Sequence, residues 1–110
     1  MQRLSAAILA LLAASLAPLG SAQAQDPAEH GRALLQEYCA DCHAIGRSGD
    51  SPDRAALPLR ALSRSFDLDR FPRLLESGIS STHPAMPQFK FSNEDARAVT
   101  AYLRSIQRDP

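Results

Sequence analysis

The densest chemistry in this chain lies in five residues, Cys39-Ala40-Asp41-Cys42-His43. Their C-x-x-C-H spacing is that of c-type haem attachment. On a helix, Cys39 lies three residues before Cys42 and four before His43, so both thiols and the imidazole leave one face toward one flat ligand. Each thiol can add to one porphyrin vinyl group, and a neutral imidazole nitrogen of His43 can bind the iron from the proximal side. Three other readings compete. A thioredoxin-like redox pair needs a βαβ setting, which the sequence does not offer, and a structural zinc site needs further Cys or His at ligand spacing. A disulfide is the ordinary fate of two cysteines in an exported protein. The histidine directly after the second cysteine favours haem over all three.

A second iron ligand is sought further along, in His83-Pro84-Ala85-Met86-Pro87. Once Met1 is removed, Met86 is the only methionine of the chain. Its thioether stands between Pro84 and Pro87, whose fixed φ angles limit how far the loop can swing, and it is read as the distal ligand. Core filling is the commoner role of methionine, but a lone Met between prolines in a polar loop fits ligation better. His83 is the rival, which would give bis-His ligation. A histidine bound to iron usually donates its other ring N–H to a carbonyl or carboxylate. The carbonyl of Pro58, or one near it, is the expected acceptor for His43, with Pro52 as competitor.

The elements that must position these residues follow from the periodicity. Residues 1–24 read as a signal peptide: Arg3, an apolar run from Leu4 to Leu19, and the small-x-small site Ala22-Gln23-Ala24. That run is shorter than the roughly 20 residues a membrane-spanning helix needs. Cleavage after Ala24 leaves a domain over 25–110, exported to the periplasm and without membrane insertion. The remaining chain has eleven Lys and Arg against twelve Asp and Glu, a balance that argues against nucleic acid as a partner. Only Lys90 among these cations is lysine. So short a domain has a thin apolar core, which buried haem would complete.

Ala28 to about Ala40 predicts a first helix, with Leu34, Leu35 and Tyr38 on or near the side that carries the cysteines. Gly31 either lets a second helix approach closely or is a tolerated surface glycine. His30, at the exposed start of this helix, is expected to be solvated. Residues 44–56 are rich in turn formers and read as a loop. Pro58 suits the first turn of a short second helix with Leu59, Leu62 and Phe66 at i, i+3 and i+7. Asp67 or Asp69 is expected to cap a third helix, with Pro72 in its first turn, Phe71, Leu74 and Leu75 as its stripe and Gly78 at its end. Residues 79–91 are irregular, and Phe89 and Phe91 are expected to cover the haem edge or to seat the last helix. Ser92 caps that helix, whose apolar face is Ala96, Val99, Tyr102, Leu103 and Ile106 and which should cross the first. Arg104 and Arg108 suit its negative end. There is no strand pattern, and no Ser/His/Asp set for nucleophilic catalysis.

Taken in order, Gly31, Cys39-x-x-Cys42-His43, Pro58-Leu59, the proline-flanked Met86 and Tyr102-Leu103 resemble a small bacterial, periplasmic, monohaem class I c-type cytochrome across nearly the whole mature chain. The resemblance implies an all-α fold of three to five short helices around one haem, the first and last packed crosswise. It implies thioethers at Cys39 and Cys42, the proximal bond at His43 and the distal bond at Met86. The segment between His43 and Met86 is shorter than in mitochondrial members, and Leu35 stands where many relatives have an aromatic residue. The function so implied is that of a monomeric electron carrier, not an enzyme, that meets redox protein partners transiently. Two alternatives stay open: a dedicated subunit of a dehydrogenase or oxidase, and a gas-binding or catalytic haem protein with a labile sixth ligand.

Overall fold

The computed structural model describes residues 26–79 and 84–108, together with Ser15. All but Ser15 of the expected leader, and His83, lie outside the described residues. Among the described residues there are three α-helices, α1 (Pro27–Tyr38), α2 (Phe71–Ser77) and α3 (Asn93–Ile106), and one 3-10 helix (Leu59–Arg64). It is all-α, as expected. Among the described residues the sole β pairing is an isolated antiparallel bridge between Ile79 and Phe89.

The first helix starts where its chemistry allows. Asp26 is the N-cap, its Oδ1 accepting from the Ala28 amide at 3.0 Å, Pro27 needs no amide partner, and Glu29 sits in the first turn. It ends two residues before Ala40, with Cys39 as C-cap. Ser92 caps α3 by accepting from the Asp95 amide at 3.1 Å, and Glu94 and Asp95 lie near its positive end.

The two long helices pack at Gly31. A Cβ built there would lie 2.0 Å from the carbonyl oxygen of Ala98 and 2.8 Å from the Val99 nitrogen, so only glycine permits this approach. Of the two readings of Gly31, close helix packing is the one observed. Beside it, His30 Nε2 and Asp95 Oδ1 meet at 2.7 Å, tying α1 to α3. His30 is therefore not the freely solvated residue expected. A partner 65 positions away leaves no trace in local sequence pattern.

Between the long helices, two expected boundaries shift. Pro58 does not enter the second helix; with ψ 127° it is the extended residue before it, and Leu59–Arg64 closes as a tighter 3-10 helix. Neither Asp67 nor Asp69 caps α2, whose N-cap is Arg70 with no side-chain bond. Asp67 instead accepts from the Asp69 amide at 2.9 Å, shaping the turn before the helix, while Asp69 pairs with Arg104 of α3. Gly78 ends α2 with φ 101°, as expected of a residue that must leave the helix left-handedly. Leu35, Leu59, Leu62, Phe71, Leu75, Ala96, Val99, Leu103 and Ile106 form the core. Leu74 of the expected stripe is exposed. Gln107 closes the far end: its Nε2 donates to the Leu59 and Leu103 carbonyls, and its Oε1 accepts from the Ser63 amide.

Candidate haem site

Regular helix stops at Tyr38, yet the cysteine motif keeps helical spacing. The amides of Cys42 and His43 both donate to the Cys39 carbonyl, at 3.2 and 2.9 Å. Cys39, Cys42 and His43 consequently open on one cavity of about 690 Å³, which Met86 also lines. The volume falls within the roughly 300–1,000 Å³ typical of small-molecule and cofactor sites. Its walls come from every element: Leu35 from α1, Leu59 and Leu62 from the 3-10 helix, Phe71 and Leu75 from α2, Val99 and Leu103 from α3. Such walls suit a flat apolar macrocycle, and much of the core is therefore also the lining of the site. Leu34, expected on or near the same side, lines a smaller neighbouring pocket instead.

His43 is oriented from behind. Its Nδ1 lies 2.6 Å from the Leu57 carbonyl oxygen, one residue before the Pro58 carbonyl expected. A carbonyl only accepts, so Nδ1 carries the proton and Nε2 keeps the lone pair that an iron ion needs. The loop supplying this carbonyl is pinned by the amide of Leu59, which donates to Ala44 O at 2.9 Å. The Ala44 amide in turn donates to the buried Ser51 hydroxyl at 3.0 Å, and Arg60 Nη1 donates to Gly49 O at 2.7 Å. Tyr102 of α3 adds a bond from its hydroxyl to Ile45 O at 2.6 Å.

No disulfide joins Cys39 and Cys42. Burial, and secondarily the neighbouring Cys42, pushes the Cys39 thiol up to about 11. Redox-active C-x-x-C pairs depend on the opposite shift, a thiolate stabilised at neutral pH. Among the described residues no group of three or more His, Cys, Asp or Glu stands at metal-binding distance, so the zinc reading gains no further ligands there.

Met86 is half-buried in a loop whose two ends are tied. The Ile79 amide donates to Phe89 O at 3.0 Å, and the Phe91 amide donates to Leu75 O at 2.9 Å. Phe89 and Phe91 pack on Tyr38 at the end of α1, with ring centroids 5.8 and 5.9 Å from its own. This aromatic cluster was not foreseen as a unit. Its only sequence signal is three rings at element ends, without a period.

Residues 26–103 match the family model described as cytochrome c oxidase, cbb3-type, subunit III, and the chain belongs to that family. It is a small monohaem c-type cytochrome of the all-α class I fold. Its haem c, with iron, is covalently bound, and the domain carries out haem-based electron transfer. Neither a curated protein nor a solved structure matches the chain. Among the described residues no helix is long and apolar enough to cross a membrane.

Proposed function

We propose that the protein is a soluble, monomeric, periplasmic electron carrier, released by cleavage after Ala24. In this reading Cys39 and Cys42 form the two thioethers, His43 Nε2 is the proximal ligand and Met86 Sδ the distal one. The observation that carries it is the joint opening of these four residues on one apolar cavity, with His43 Nδ1 already committed to Leu57 O. When bound, the haem supplies a one-electron couple between ferric and ferrous iron. The chain's contribution is to hold both ligands in either state, with the thioether favouring the ferrous form and raising the potential. Leu35, Leu62, Val99 and Leu103 keep water from the cavity floor. With His43 and Met86 both committed to the iron, no ligand position would be open to a substrate, so the protein would pass electrons and not act as an enzyme, and its redox partners would dock briefly over small interfaces.

Carbon monoxide tests the ligand set. The ferrous protein should keep its absorption spectrum when the gas is added; ready formation of a carbonyl spectrum would mean a labile sixth ligand and a gas-binding or catalytic role.

The family's description, which names an oxidase subunit, favours a second reading, that of a dedicated subunit with the same haem site. Size-exclusion of native periplasmic extract separates the two. The carrier should elute near the mass of one small domain, whereas the subunit would co-elute with larger partners.

A further inference from the structure

The end of α1 touches both halves of the haem site. Tyr38 precedes Cys39 directly, and its ring packs on Phe89 and Phe91, the residues by which the Met86 loop returns to α3. The two phenylalanine rings also meet each other, with centroids 6.4 Å apart, so three rings close a triangle. Their backbones are fixed as well: Phe89 by the bridge to Ile79, Phe91 by its bond to Leu75 O on α2. Phe89 stands three residues after Met86, with Pro87 between them limiting the intervening torsions. The exit of the Met86 loop is therefore tied to α2 and to Ile79 just beyond it by one backbone bond each, and to α1 through the Tyr38 ring.

We propose that Tyr38 is a positioning residue for Met86. Its ring holds the exit of the distal loop against the segment that carries the cysteines, so that the thioether stays on the iron. The proposal rests on the reading of Met86 as the distal ligand. The contacts are made by the ring, and among the described residues the hydroxyl makes no hydrogen bond. Offset and edge-to-face aromatic pairs add stabilisation beyond their buried area. Loss of two such pairs should weaken retention of the loop by roughly tenfold.

The test uses the holoprotein, with haem attached, as wild type, Tyr38→Phe, Tyr38→Leu and Phe89→Leu. Added imidazole competes with methionine sulfur for ferric iron, and the loss of the sulfur-to-iron charge-transfer band reports the exchange. Tyr38→Leu should retain both thioethers but bind imidazole roughly tenfold more tightly, with a lowered reduction potential. Tyr38→Phe should behave as wild type, and Phe89→Leu, which opens the triangle from the other side, should match Tyr38→Leu. A Tyr38→Leu protein with unchanged imidazole affinity and potential, even if it melts earlier, would overturn the proposal. Should Tyr38→Leu fail to accumulate, the same reading is taken from Phe89→Leu, and an unchanged affinity there overturns the proposal equally. So would a Tyr38→Phe protein as impaired as Tyr38→Leu, since the hydroxyl would then be the active part. If the wild type lacks the sulfur band, the Met86 assignment fails and the proposal with it; a normal wild type beside an indifferent Tyr38→Leu removes the proposal alone.

Discussion

Each of the two residues proposed to hold the iron is kept in place by a different kind of constraint. His43 is oriented by one short hydrogen bond to Leu57 O, which fixes both its ring plane and its tautomer. Met86 has only a thioether, a weak acceptor, so its placement comes from Pro84, Pro87 and the tied ends of its loop. This difference sets the expected outcome at Met86. Met86→Ala should retain covalent haem, lose the methionine-to-iron band, turn high-spin or ligand-exchanging, and fall in potential, all readable by absorption and voltammetry. An unchanged low-spin spectrum would remove Met86 from the site and turn attention to His83. These residues could be singled out as candidates in the sequence because reactive side chains stand there in a short motif or between prolines. The Leu57 acceptor was legible only to within a residue, because spacing locates a loop but not which of its carbonyls turns inward.

At the scale of elements, the site depends on how closely α1 and α3 approach. The absent side chain at Gly31 lets the Ala98 carbonyl come within the space of a Cβ. Gly31→Ala must push backbone against backbone, and overpacking of this kind costs roughly 1–3 kcal/mol. In a domain of this size each kcal/mol lowers the melting temperature by roughly 4–8 °C, measurable by circular dichroism of the holoprotein. Melting at the wild-type temperature would show that the helices do not pack there. Tyr102→Phe leaves Ile45 O without its partner and should cost about 1 kcal/mol, with a smaller shift in the same assay. Replacing His30 by Ala should cost less, on the order of 0–1 kcal/mol, because the His30–Asp95 pair is about one-third exposed and screened by water. The helices themselves were legible from caps, prolines and stripes. Their ends were not: Pro58 and Asp67 are turn residues as readily as helix starters, and the next residue after Pro58, Leu59, is held by bonds to Ala44 and Gln107 that no local pattern announces, while Asp67 is taken up by the turn to Asp69.

At the scale of the molecule, the cavity replaces a conventional core. Leu35, Leu59, Leu62, Phe71, Leu75, Val99 and Leu103 belong both to the buried cluster and to the cavity wall. Folding and haem burial therefore draw on the same apolar surface, and a haem tethered to the chain favours the native state by taking its apolar faces out of water against these side chains. The crossing of first and last helices, the loop under His43 and the distal loop all appear in the sequence as an ordered series of motifs. The ties among them do not, since His30–Asp95, Tyr38–Phe89 and Gln107–Leu59 join residues with no shared period. The central claim is that one haem is fixed to this chain through Cys39 and Cys42. Mass spectrometry of the trypsin-digested holoprotein, denatured and alkylated, addresses it directly through the peptide spanning residues 33–47, which holds both cysteines. The expected peptide carries the mass of one haem and no alkyl group, whereas a haem-free peptide alkylated at both sulfurs would contradict the claim.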